Sequence, residues 1–278
     1  MQISNILVEE SFHYTEDKIN MACRGEEIDA LDIIADYCVN VKEKVEYTDA
    51  IWEIPVEEGI SLMQYLYEKR GVIREDDFRR LEEIFSKKFR CISLEDRDRR
   101  ILVSLGEYEN SSSNIQEYIG KRRSILSTVT DIQEYAEFME SCFPNSCFAE
   151  DIVDEMKFID NFPQNVKEIT DSLSVLDDEA IELYTKYRSN LKIAMDILSS
   201  KLVECAPDPK HAKDLLFTFA YEEIVDGKNE AKKKQVECSP HLKLIHPGSN
   251  LRIYFFWRDK NVGEGKKVLI GRIGRHPY

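Results

Sequence analysis

The spacing of apolar residues changes character along this chain, and that change limits the fold more than any other feature. From about 114 to 143, Ile115, Tyr118, Ile119, Ile125, Leu126, Val129, Ile132, Phe138 and Met139 recur at helical spacing. The pattern predicts a long helix with an interruption near Gly120. FPNS (143–146) ends it at Pro144, a helix at about 148–160 leads to Pro163, and another runs from Val166 to Leu173. A long helix follows at about 178–203, and after APDPKH a last one at about 209–223 turns Leu215, Leu216 and Phe219 inward. Residues 114–223 therefore read as an antiparallel helical bundle. DGKNEAKKK (226–234) reads as a polar hinge, and beyond it the pattern is β. HLKLI, LRIYFFW and KVLIGRIG are short branched or aromatic runs, separated by Pro247-Gly248-Ser249-Asn250 and by a loop holding Gly263 and Gly265. They predict a three-stranded antiparallel meander.

The first 110 residues mix both patterns. Residues 26–45 place Ile28, Leu31, Ala35, Cys38, Val41 and Val45 on one helical face. IWEIPVE, broken by Pro55, reads as an edge strand. Helices are expected at 60–71, with Gly71 as the stop, and at about 75–89, where Phe78, Leu81, Phe85 and Phe89 share a face. EDRDRR (95–100) reads as a surface loop, ILVSL (101–105) as a strand and GEYENSSSN (106–114) as the linker. The expected class is α+β: a mixed region at 1–110, a helical bundle at 111–225 and a basic β-module at 226–278.

Charge follows the same division. Residues 239–278 carry eight cations against two anions, a net of +6, whereas the preceding residues carry 30 cations against 51 anions, a net of −21. An acidic body with a basic tail points either to a polyanionic partner or to a tail that docks on its own body. With 42% hydrophobic residues, 13 Phe and 13 Tyr, the chain is not wholly disordered. No run approaches the ~20 apolar residues of a membrane helix. The start, MQISNILVEESFHY, lacks the basic and apolar regions of a secretory leader. Seven irregularly spaced cysteines without a C-x-x-C pair read as reduced, buried small hydrophobes. A cytoplasmic protein is expected.

In a strand, alternate residues share a face, so Arg252, Tyr254 and Phe256 point one way and Ile253, Phe255 and Trp257 the other. On the last strand Lys267, Leu269, Gly271 and Ile273 alternate with Val268, Ile270, Arg272 and Gly274. A sheet face offering Arg with aromatics can hold a phosphate and stack a base. Lys243, Arg252, Tyr254 and Arg272 are the expected nucleic-acid contacts; the alternative is a solvated face over an ordinary core.

The order of these runs resembles the terminal strands of the RelE/ParE superfamily of toxins. Arg252 matches the Arg that opens a "YRIxY"-like strand, Arg275 and His276 match a basic pair after the last strand, and Tyr278 matches a terminal aromatic. The resemblance covers about 40 of the 278 residues. It implies RNA cleavage without a metal, with His276 transferring protons, Arg252 and Arg275 clamping the phosphate, and Tyr278 completing the catalytic set. Other members of the superfamily act on gyrase or have no nuclease activity.

Other chemistries have less support. Cys238, His241, His246 and His276 have C-x2-H-x4-H spacing, but the paired cysteines of a zinc site are absent. Glu230-Ala231-Lys232 matches the E-x-K of metal nucleases without their apolar strand. No G-x-S-x-G, H-E-x-x-H or Walker pattern occurs. No metal and no cofactor is expected. The leading expectation is an effector of toxin or phage-defence type whose basic module binds RNA, with cleavage as the further step, restrained by the acidic body. RNA and a protein partner or antitoxin are the expected partners. The alternative is a non-enzymatic interaction protein that works through its helices.

Overall fold

A computed structural model describes residues 3–92, 99–201, 204–207, 215–225, 228–244 and 250–276. It has helices and strands in both halves, an α+β protein. The chain divides into two units, Gln2–Arg122 and Arg123–Tyr278.

In the first unit β1 (Ser4–Leu7) leads through a long loop to α1 (Gly25–Asn40) and β2 (Val45–Tyr47). A small hairpin, β3 (Pro55–Glu57) with β4 (Ile60–Ser61), precedes α2 (Leu62–Glu68), α3 (Glu75–Glu83), β5 (Phe89–Cys91) and β6 (Arg100–Val103). The unit ends within α4 (Ile115–Leu126). The four longer-range strands form one parallel sheet in the order β5-β2-β1-β6. The order reverses between β1 and β6, as in open doubly wound α/β sheets. Neither β1 nor β2 is expected from the sequence, because strands of three or four residues with no exposed position show no alternation.

Local signals account for the helices. α1 buries Ile28, Leu31, Ile34, Ala35 and Cys38 and stops before Lys42, whose φ is +61°. Val45 therefore belongs to β2 rather than to the predicted helix. α2 opens with a capping box between Ser61 and Gln64 and ends at Lys69 in the left-handed region. The helix predicted at 75–89 changes at Ile84 into a π turn (Ile84–Lys88), and Phe89 starts a strand. The predicted linker folds back on β6: Ser104 N donates to Ser112 O, and Ser112 N to Leu102 O. Beneath the sheet lies a closed polar network. Tyr118 donates to Asn5, Asn5 donates to Glu43, and Arg122, fully buried, holds both oxygens of Glu43 and the Tyr118 hydroxyl.

In the second unit α5 (Ile132–Met139), β7 (Ser146–Phe148), α6 (Ile152–Met156), α7 (Phe162–Tyr187) and α8 (Leu191–Lys201) come first. The helix predicted over 114–143 breaks not at Gly120 but at 127–131. There Ser127 and Thr128 bond back to Ser124 O and Ile125 O, and Asp131 caps α5. Pro163 starts α7 instead of breaking a helix, as Pro does in a first turn. One unbroken stripe (Val166, Ile169, Leu173, Leu176, Ala180, Leu183) joins the helix predicted at 166–173 to the first part of that predicted at 178–203, whose remainder is the separate α8.

The strands β8 (Cys205–Ala206), β9 (Leu216–Val225), β10 (Lys228–Glu237), β11 (His241–Lys243), β12 (Leu251–Phe256) and β13 (Val268–Arg275) complete the unit. β11, β12 and β13 are the predicted antiparallel meander, widened by β8 and by β7, which pairs parallel to β13, into the order β7-β13-β12-β11-β8. Two expectations are overturned here. The described part of the helix predicted at 209–223 is β9, and the predicted hinge at 226–234 lies largely in β10; the two strands pair over ten positions as a separate ribbon. Phe217 and Phe219 alternate with Leu216, Thr218 and Ala220, a period of two that the sequence carries beside its helical spacing.

Candidate nucleic-acid interface on the C-terminal sheet

The register of the second unit's sheet decides which side chains meet. His241 lies opposite Tyr254, Lys243 opposite Arg252, Arg252 opposite Gly274 and Tyr254 opposite Arg272. Directly opposed residues share a face, so the four predicted contacts, Lys243, Arg252, Tyr254 and Arg272, stand together with His241. The register is regular through this set. A register shift after Tyr254 places Leu269 opposite Phe256 while Arg272 stays opposite Tyr254, which brings both parities of β13 to one face. His276 joins the group: its ring lies 6.3 Å from Tyr254 and 6.5 Å from His241, and its backbone N–H donates to Asn250 O at 2.6 Å.

This face is covered. Tyr254 is 0%, His241 4% and Arg252 7% exposed. Leu215, Phe217, Phe219, Val236 and Cys238, from the base of the β9–β10 ribbon, pack with Tyr254 and Leu269. A Cβ on Gly271 would stand 2.4 Å from Phe217 and 2.8 Å from the Cys238 sulfur, so the ribbon approaches as closely as glycine permits. α6 covers the other end, where the Glu155 carbonyl lies 3.2 Å from the place of a Gly274 Cβ. Arg252 donates from Nη1 to Leu251 O at 2.9 Å, and burial holds its pKa below the usual guanidinium value against the opposing charges of Tyr254 and Glu204.

Carboxylates of the acidic body meet the cations. Glu155 holds Arg272 at 2.7 Å, Asp160 pairs with Arg275 and Glu204 with Lys243. Glu150 holds Lys233 at 2.8 Å on the ribbon, and Lys232 pairs with Glu223. The sequence shows that the body is acidic, but only the fold shows that Glu155, Asp160 and Glu204 meet the tail. Arg275 does not join Arg252. It lies opposite Leu251, on the alternate face, and is 53% exposed in its side chain. The structure thus places Arg272, rather than the expected Arg275, on the face of Arg252. Tyr278 and His246 lie outside the described residues.

Cys238 is a core residue rather than a ligand, fully buried among aromatic side chains, and burial pushes its thiol pKa up. Among the described residues no group of three or more His, Cys, Asp or Glu side chains is placed to hold a metal. Glu230-Ala231-Lys232 sits on β10, with Glu230 opposite Glu223. Beside α6 the unit holds a cavity of about 430 Å³, lined by Met139, Glu140, Cys147, Glu150, Val153 and Lys267 among others. Burial raises the Cys147 pKa despite the Lys267 charge, so the thiol there is a poor nucleophile. No helix among the described residues is long and apolar enough to cross a membrane. Compared with known proteins, the chain matches no protein-family profile, no curated protein and no solved structure.

Proposed function

We propose that the C-terminal sheet is the RNA-binding face of a restrained effector of toxin or defence type. The observation that carries this reading is the gathering of Arg252, Arg272, Tyr254, His241 and His276 on one face, two cations and three rings. Guanidinium groups bind phosphate oxygens through paired N–H donors, and aromatic rings stack on unpaired bases. His276 and His241 supply imidazole nitrogens, which can both accept and donate a proton, as proton transfer between a 2′-hydroxyl and a leaving 5′-oxygen requires. The resemblance to RelE/ParE terminal strands supports the same assignment. Restraint is assigned to Glu155 and Asp160, which occupy Arg272 and Arg275 as carboxylate stand-ins for phosphate.

The test uses the full chain. A Glu155→Gln/Asp160→Asn double variant is expected to retain single-stranded RNA several-fold more strongly than wild type at low salt, with binding falling steeply as salt rises. Arg252→Ala/His276→Ala in that background is expected to lose binding, cleavage and toxicity. Unchanged RNA retention in the unlocked variant, or unchanged toxicity and cleavage after the second pair of substitutions, overturns the reading.

The burial of Tyr254 and Arg252 favours a second reading, in which this face is structural and the chain acts through a protein partner. Co-purification of one stoichiometric partner without nucleic acid supports that alternative.

A further inference from the structure

The parallel sheet of the first unit has a site of its own, independent of the RNA reading. Open α/β sheets bind ligands outside the carboxyl ends of their strands, where the strand order reverses. Here that point lies between β1 and β6, and the segments leaving both strands are held together: Leu105 N donates to Ser11 Oγ at 2.9 Å. Arg24, the residue that caps the 16-residue α1, lies against this point. Its Nη2 donates to Leu105 O at 2.7 Å, just past the end of β6, and its Nε donates to Glu27 in the first turn of α1 at 2.6 Å. The guanidinium therefore spans the end of the sheet and the positive end of the helix.

Several features there do not serve the fold. Arg24 is 3% exposed, yet its Nη1 hydrogen-bonds to nothing among the described residues. Asn20 is 8% exposed, and its Oδ1 likewise has no partner among them. No side chain caps the N-terminus of α1. Two cations, Lys18 and Arg24, converge on the single carboxylate of Glu27. That carboxylate presses on Gly106, where φ is +76° and a Cβ would stand 2.5 Å from Glu27 Oε1. A buried charge is costly unless paired and fully hydrogen-bonded, so a buried guanidinium with a spare donor marks capacity beyond the resident carboxylate.

We propose that the β1/β6 switch point binds the phosphate of a small phosphorylated molecule, with Glu27 as the internal anion that it displaces. Arg24 and Lys18 would take the phosphate oxygens, the first-turn N–H groups of α1 would add donors, and Glu27 would swing to solvent. The absence of a glycine-rich turn after β1 means that side chains, rather than a backbone cradle, provide most of the recognition.

Titration calorimetry with pyrophosphate as probe tests this on the full chain. Glu27→Gln removes the competing charge while keeping the shape, and its affinity is expected to exceed that of wild type by about tenfold or more. Arg24→Gln in the Glu27→Gln background is expected to abolish the gain. Lys18→Gln, at a side chain 37% exposed, is expected to weaken binding several-fold without affecting folding. Parallel titrations with ADP and ribose 5-phosphate distinguish the source. Equal affinities assign the site to phosphate alone, and tighter ADP binding assigns it to a nucleotide. If Glu27→Gln binds none of the three probes, or binds no more tightly than wild type, the proposal is overturned; if Arg24→Gln fails to fold, an unchanged Lys18→Gln affinity overturns it as well.

Discussion

Arg122 of the first unit and the pair Arg272 and Arg275 of the second use their charge in opposite ways. In Gln2–Arg122 the Arg122 guanidinium is fully buried, holds both oxygens of Glu43 and joins a network with Tyr118 and Asn5. In Arg123–Tyr278 the pairs of Arg272 with Glu155 and Arg275 with Asp160 lie at the margin of the sheet, with side chains 17% and 25%, and 53% and 75%, exposed. The first arrangement cannot be opened without leaving a charge stranded in a low-dielectric interior. The second exchanges one solvent-accessible counter-charge for another, most cheaply at the exposed Asp160 and at greater cost at the partly buried Glu155. Equal numbers of ion pairs in two places thus say little; their depth separates a strut from a latch.

Four experiments bear on that contrast. The largest effect is expected for Arg122→Ala, which leaves the Glu43 carboxylate without its counter-charge and destabilises the first unit by about 3–5 kcal/mol in urea unfolding. A loss below about 1 kcal/mol would remove the distinction between strut and latch.

The second experiment looks for a strut in the other unit. Burial pushes the Asp177 pKa up to about 6, against the opposing effects of the Ser146 hydroxyl, the Arg123 guanidinium and the Asn145 N–H. A carboxyl whose folded pKa is raised binds its proton more tightly in the folded state. Its contribution is therefore complete below the unfolded value near 4 and is lost as pH rises through about 6. Between pH 4 and 7 this group should remove up to about 2–3 kcal/mol, a slope that Asp177→Asn abolishes. Melting curves of both proteins across that range check the difference, and parallel curves would contradict it.

The third, Gly271→Ala, drives a methyl into Phe217 and Cys238 and is expected to cost about 1–3 kcal/mol by lifting the ribbon from the sheet. It also raises the accessibility of Cys238 to a thiol reagent, and no change in labelling rate would show that the ribbon is not the cover. The smallest effect belongs to Glu155→Gln, within about 1 kcal/mol of wild type by the same unfolding assay. A larger loss would make the pair with Arg272 a structural one.

The sequence was informative where one residue type had one job. The helical stripe of α1 was readable, because burial on one side leaves a periodic record. β1 and β2 left none, being short and without an exposed position. β9 and β10 were misread for the opposite reason. Leu215, Leu216 and Phe219 fit a helix as well as Phe217, Phe219 and Tyr221 fit a strand, and most of KNEAKKKQVE faces solvent, so composition imitated a hinge. In the candidate interface Arg252, Tyr254 and Arg272 could be assigned to strands, but the register shift that adds Leu269 to their face could not be foreseen. The acidic partners Glu155, Asp160 and Glu204 are set by tertiary structure alone.

The ribbon sets the time on which the covered face can change. Its ten-pair ladder is tied down at one end, where Cys238 N donates to Leu215 O, while Ile224 near the other end is 75% exposed. Amide exchange should therefore grade along the strands, fastest at the tip and slowest at the base, as local opening does in any element anchored on one side. Fraying from the tip uncovers nothing, because Tyr254 lies under the last few pairs. Exposing Tyr254 on the ribbon side requires the pairs at the base to part together, a cooperative opening rather than rapid fluctuation.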